Sequence, residues 1–121
     1  MKEQDLVRQI RTYVEVLEKQ GKTYILRNNT IRQQVRRPNG SVGFIVNGKA
    51  GSPDLVMVHK GQFIGVECKV GYNKQSEKQK EAQASIERAG GEYWLVYSFD
   101  QFMERFRKHQ GLAHATQAAL F

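Results

Sequence analysis

The sequence predicts one α/β domain, residues 1–121, with a mixed β-sheet flanked by helices in the order α-β-β-β-α-β-α. Three observations carry this expectation. Leu6, Ile10, Tyr13, Val14 and Leu17 recur at helical period and make an amphipathic opening helix. Residues 54–59 and 63–70 are two Val-rich runs around Lys60-Gly61-Gln62, which reads as a hairpin. A helix at 76–89, a strand at 93–97 and a last helix follow, and that alternation suits layered α/β packing.

Each element has its own signals. Gly21 ends the first helix. Tyr24-Ile25-Leu26 is a short strand candidate. Residues 28–40 are polar and basic and read as a long loop, 41–46 as a further strand candidate, and Asn47-Gly48 as a turn. Pro38 and Pro53 both sit in loop-like surroundings. Ser76 with Gln79 makes a capping box for the 76–89 helix, and Gly90-Gly91 closes it. Ser98 with Gln101 repeats the pattern before a helix that carries Phe99, Phe102 and Phe106 on one face. From Gly111 the tail is Ala-rich and reads as a short helix, an interface element or a frayed end.

Composition narrows the class. With 121 residues, 40% hydrophobic and 26% charged, the chain is of ordinary globular make-up. A domain of this size buries roughly two-thirds of its unfolded surface, so it needs no disulfides or structural metal. No apolar run approaches the ~18 residues of a membrane span, and Met1 to Asp5 opens no signal peptide. The single cysteine, Cys68, fits a reducing compartment, so a cytoplasmic location without membrane attachment is expected. Nineteen bases against twelve acids give a net charge of +7. The whole excess lies between residues 19 and 53, where Lys19, Lys22, Arg27, Arg32, Arg36, Arg37 and Lys49 stand without one acid. Clustered bases of this kind release counterions from phosphates, and nucleic-acid contacts are expected from Arg27, Arg32, Arg36, Arg37 and Lys49. A merely soluble basic surface is the alternative.

The chemistry-bearing residues sit around the second hairpin strand. Alternation puts Glu67 and Lys69 on one face, roughly 7 Å apart, and Cys68 on the other. A solvent-facing ion pair would explain this pair by itself. Asp54 adds a second carboxylate, because a hairpin brings it close to Glu67. Two carboxylates offer hard oxygens to Mg²⁺, and a lysine beside them can orient water or offset phosphate charge. Glu3 falls on the apolar side of the first helix, with a frayed N-terminus as the alternative. Gln79 falls on the inward face of its helix, with a plain capping role as the alternative. Cys68 should point into the core as a small hydrophobe. His59, His109 and His114 are too scattered for a ligand set, and solvated histidines are expected near the tail. One of Tyr93 and Trp94 should be core.

Taken in order, several pieces resemble a known family. They are Glu3 with its helix, Arg27-Asn28-Asn29-Thr30, Gly51-Ser52-Pro53-Asp54-Leu55, Gly65-Val66-Glu67-Cys68-Lys69, Ser76-Glu77-Lys78-Gln79 and Ala89-Gly90-Gly91. From about residue 3 to 105 the chain looks like a stand-alone VRR-NUC domain (virus-type replication and repair nuclease) of the PD-(D/E)XK superfamily. The resemblance implies a restriction-endonuclease-like core. It also implies hydrolysis of DNA phosphodiesters with Mg²⁺ or Mn²⁺, giving a 3′-hydroxyl and a 5′-phosphate. By position, Asp54, Glu67 and the Cys68 carbonyl would be metal ligands and Lys69 the catalytic lysine. Glu3 would be the helix carboxylate near the metal, and Gln79 the motif glutamine. Residues 29–48 form a longer stretch than the shortest members carry.

The expected function is therefore structure-selective cleavage of branched DNA, such as a Holliday junction in DNA repair, by a homodimer. Phe102, Phe106, Leu112, Leu120 and Phe121 are the interface candidates, with packing inside one subunit as the alternative. A non-catalytic nucleic-acid-binding module, a flap or nicking nuclease, and an enzyme acting on RNA are the alternatives.

Overall fold

A computed structural model describes residues 1–28 and 31–120; the side chains of 31–33, 45–47 and 112–120 lie outside the description. The elements are α1 (Glu3–Lys19), β1 (Thr23–Arg27), β2 (Ile31–Arg36), β3 (Val42–Asn47), β4 (Leu55–His59), β5 (Gln62–Cys68), α2 (Glu77–Arg88), β6 (Glu92–Val96) and α3 (Phe99–Leu120). The main sheet has the order β1-β4-β5-β6. Its first three strands pair antiparallel, and β6 runs parallel to β5. β2 and β3 form a separate two-stranded ribbon inserted between β1 and β4. With the ribbon set aside, the order is the expected α-β-β-β-α-β-α, a restriction-endonuclease-like α/β arrangement.

Local chemistry accounts for the boundaries. At the start of α1, the Lys2 N–H donates to Asp5 Oδ2 at 3.0 Å, and Glu3 and Asp5 place acid at the positive end of the helix dipole. Between β4 and β5, Lys60 and Gly61 both have positive φ (55° and 77°), which suits a two-residue hairpin turn with the strand twist. That turn pairs His59 with Gln62 and fixes the register that sets Leu55 opposite Val66. α2 has the reciprocal capping box read from Ser76 and Gln79. At α3 the pattern is modified: the Gln101 N–H reaches Ser98 Oγ at 3.1 Å, but Gln101 Oε1 accepts from Tyr97 rather than from Ser98.

The core lies on one face of the sheet. Leu6, Ile10 and Val14 of α1 and Phe102 and Phe106 of α3 close over Leu55, Met57, Ile64, Val66, Cys68, Trp94 and Val96. Cys68 and Trp94 are core residues as expected, whereas Tyr93 is buried on the opposite face beside Gly65. α2 covers part of that second face, with Ile86 near Gly65 and Gly91. The rest of this face shows Tyr24 and Leu26 of β1, Val58 of β4 and Phe63 of β5 to solvent.

Three expectations are corrected. Residues 28–40 are not one long loop, because 31–36 form β2. Phe102 and Phe106 are buried within their own subunit and supply no interface, since they complete the core over the sheet. The Ala-rich tail is no separate piece, because α3 continues through it to Leu120. The side chains of Leu112 and Leu120, and all of Phe121, lie outside the described residues, as do Asn29 and Thr30. Among the described residues, no helix is long and apolar enough to cross a membrane.

Candidate active site

Asp54 enters β4 one residue before Leu55, so the antiparallel register carries it opposite Glu67 at the end of β5. Its Oδ2 accepts the Cys68 N–H at 2.8 Å. Glu67 is 2% exposed. Its Oε1 accepts from Gln79 Nε2 at 2.8 Å and lies 3.9 Å from Lys69 Nζ. Its Oε2 is buried and meets no N–H or hydroxyl donor among the described residues, and the Asp54 and Glu67 carboxyl groups lie within hydrogen-bonding reach of each other.

The loop that delivers Asp54 is wedged in place. Gly51 has φ +80°, and a Cβ there would overlap the Lys78 carbonyl at the start of α2. Pro53 lies against β5 where Gly65 has no side chain; a Cβ there would come 2.6 Å from Pro53 Cγ. Asn28 ties the other side. Its N–H donates to the Asp54 carbonyl at 2.8 Å, and its Nδ2 donates to Ser52 Oγ at 2.8 Å and to the Pro53 carbonyl at 3.1 Å.

Glu3 reaches the same end of the sheet. Its Oε1 accepts from Asn73 Nδ2 at 3.1 Å, and the Asn73 carbonyl accepts the Tyr97 hydroxyl at 2.8 Å. The first residue of α1 is thus fastened to the loop before α2 rather than frayed. Gln79 fills both roles considered for it, closing the capping box and bonding Glu67.

The electrostatics are those of crowded acids. Burial, then the Asp54 carboxylate, pushes Glu67 up to about 8, against the pull of the Lys69 ammonium. Burial also raises Asp54, although the Cys68 N–H opposes the shift. Burial raises the Cys68 thiol, with the three acids adding to it, so this cysteine is no nucleophile. Tyr93 is pushed up to about 12, chiefly by burial and partly by Glu67 and Asp54.

Asn73 and Tyr93 are site residues that sequence reasoning missed, and Asn28 was named only within the Arg27-Asn28-Asn29-Thr30 piece, without a role. For Tyr93 a signal existed: if Trp94 is core, alternation sends Tyr93 to the Glu67 face. For Asn73 there was none, since its contact with Glu3 joins residues 70 apart in the chain.

The expected DNA contacts divide. Arg27 is exposed at the end of β1, paired with Leu55 and therefore next to Asp54. Arg36 is exposed on the ribbon, and Lys49 is exposed where the ribbon returns. Arg37 folds back on the ribbon turn, its Nη1 donating to Ser41 Oγ at 3.4 Å and to the Val42 carbonyl at 3.3 Å. The Arg32 side chain lies outside the described residues. The histidines do not join the site, but His109 is not solvated as expected. His59 and His109 are buried together at the far end of the sheet, with their Nδ1 atoms 2.6 Å apart.

No protein-family model matches this chain, and no curated protein does. Among the described residues no group of three His, Cys, Asp or Glu forms a ready metal-ligand set. The residues present still suit a hard divalent cation. A half-buried and a buried carboxyl group face each other beside one ammonium, and their mutual repulsion is one that a cation would relieve. Mg²⁺ commonly takes one or two carboxylates and fills its remaining positions with water and phosphate oxygens.

Proposed function

We propose that this chain is a Mg²⁺-dependent, structure-selective DNA endonuclease of the VRR-NUC type, with Mn²⁺ able to substitute. The observation that carries the reading is the facing Asp54–Glu67 carboxyl pair, one half-buried and one buried, with the Lys69 ammonium 3.9 Å from Glu67 Oε1. The cation would be held by Asp54, Glu67 and the Cys68 carbonyl, with Glu3 adding negative charge nearby. Bound there, it would supply Lewis-acid stabilisation of the phosphate and a more acidic water.

The chain's own groups do the rest. Lys69 orients the attacking water or offsets charge on the phosphate. Gln79 holds Glu67 in one orientation, and Asn28 with Pro53 holds Asp54. Water attacks phosphorus, the P–O3′ bond breaks, and a proton goes to O3′, leaving a 3′-hydroxyl and a 5′-phosphate. Arg27, next to Asp54, brings positive charge to the site, and Arg36 and Lys49 add exposed charge on the ribbon and at its return. One such site cuts one strand. Symmetric cleavage of a Holliday junction in cytoplasmic DNA repair therefore calls for a homodimer whose interface lies away from Phe102 and Phe106.

The test is a panel of labelled duplex, flap, splayed-arm and four-way-junction DNAs incubated with Mg²⁺, with Ca²⁺ and with chelator. Cleavage of a branched DNA in Mg²⁺ alone is expected, with Glu67→Gln binding but not cutting. Undiminished cleavage in excess EDTA overturns the metal site. Binding without cleavage by the unaltered protein leaves the non-catalytic module in its place.

A further inference from the structure

Among the described residues, the ribbon of β2 and β3 pairs with no strand of the main sheet. It leaves the sheet after Arg27 and returns at Ser52, and Asn28 fastens those two points together at the Asp54 end. Each strand has six residues, so the ribbon extends about 20 Å at roughly 3.3 Å per residue.

Its two faces differ. The register sets Gln34 opposite Phe44 and Arg36 opposite Val42, so these four share one face. All four are exposed, Phe44 at 53% and Val42 at 47%. The other face is occupied near the turn: the Arg37 guanidinium lies where a Cβ on Gly43 would be. Arg37 therefore stiffens the ribbon, and Arg36 is the guanidinium it presents. From 28 to 52 the sequence holds Arg32, Arg36, Arg37 and Lys49 and no acid. An exposed apolar pair flanked only by positive charge suits a polyanion that also offers apolar surface.

Duplex DNA meets both conditions. Its major groove, about 12 Å wide, admits a two-stranded ribbon, presents thymine methyls, and is walled by phosphates. We propose that the β2–β3 ribbon is an arm that lays its Gln34, Arg36, Val42 and Phe44 face into the major groove of the duplex beside the cleavage point. Arg36 meets a phosphate or a guanine edge, Gln34 meets an adenine edge, and Phe44 and Val42 pack on methyls. The position of the arm relative to the cut rests on the endonuclease reading; its binding to DNA does not.

The experiment measures binding of a fluorescent four-way junction and a plain duplex in Ca²⁺, so that no cleavage is needed. The unaltered chain is compared with Arg36→Ala/Phe44→Ala and with Lys108→Ala, a charge-loss control on α3. The ribbon variant should bind about tenfold more weakly, with a salt slope lower by about one, while the control loses neither. Methylation of guanine N7, which lies in the major groove, should weaken the unaltered protein and leave the ribbon variant indifferent. Unchanged affinity, or the same interference pattern in the ribbon variant, overturns the arm. So does competition by a minor-groove ligand alone. If the ribbon effects hold while no DNA is ever cut, the endonuclease reading fails and the arm stands. If cutting proceeds with an unchanged KM in the ribbon variant, the arm fails and the endonuclease stands.

Discussion

Gln79 donates through Nε2 to Glu67 Oε1 at 2.8 Å while its own Oε1 accepts the Ser76 N–H at 2.8 Å. One side chain thus caps α2 and orients a buried carboxylate. Gln79→Ala should cost about 1 kcal/mol through the lost cap. It should also lower cleavage about 10- to 100-fold by freeing Glu67. Gln79→Glu separates the roles, since a carboxylate still accepts the Ser76 N–H but can no longer donate an N–H to Glu67 Oε1. Its melting temperature should stay nearer that of the parent than that of the alanine variant, while cleavage falls. Parental turnover in Gln79→Glu would reduce Gln79 to a cap.

Removing the charge conflict should stabilise the metal-free protein. Glu67 is pushed up from 4.5 to about 8, so near neutrality the folded state keeps a proton that the unfolded chain has released. Stability from this group therefore falls as pH rises from 4.5 toward 8. Glu67→Gln should raise stability at pH 7.5 by roughly 1–3 kcal/mol and flatten that decline. Thermal melts with and without Mg²⁺ are the check. Mg²⁺ should raise the melting temperature of the parent and leave that of the variant unmoved.

Lys69 should act on the reaction more than on affinity. Its ammonium is mostly buried and 3.9 Å from Glu67 Oε1, a poor place for a diffuse phosphate contact. Lys69→Ala should lower single-turnover cleavage about 10²-fold or more. Junction affinity in Ca²⁺ should stay close to the parent's. A loss confined to affinity would make the lysine an ordinary DNA contact.

Acid should loosen the far end of the sheet. His59 is 1% exposed and is pushed down from 6.5 to about 4 by burial and by the positive charge of His109 and Lys60. Below pH 6.5 the unfolded chain takes up a proton that the folded His59 refuses. The stability is thus present above 6.5 and lost as pH falls through 4, to a total of roughly 3 kcal/mol. His59→Phe should flatten urea-unfolding free energies between pH 6.5 and 4. An equally steep acid limb in the variant would place the effect on other groups.

The sheet, the hairpin and both caps were legible because short-range rules write them. Apolar period, a two-residue turn and Ser-x-x-Gln spacing each need only a few neighbouring residues. β2 was hidden because Ile31-Arg32-Gln33-Gln34-Val35-Arg36 lacks a clean two-residue period: Gln33 shares a face with Ile31 and Val35. Asp54, Glu67, Lys69 and Gln79 were legible as a group because the hairpin register and one helix cap bring them together. His59 and His109, 50 residues apart, meet only through the docking of α3, which no local pattern announces.

The clamp that Asn28 makes with Ser52 and Pro53 gives the domain a modular seam. Whatever lies between those points enters and leaves the sheet at one place, so the core hardly feels its length. Closing a longer excursion costs only slowly more entropy, about 0.6 kcal/mol per doubling. Residues 29–50 are therefore a graft point. A different ribbon spliced between Asn28 and Gly51 could redirect the same carboxylate pair to another target without redesign of the scaffold beneath it.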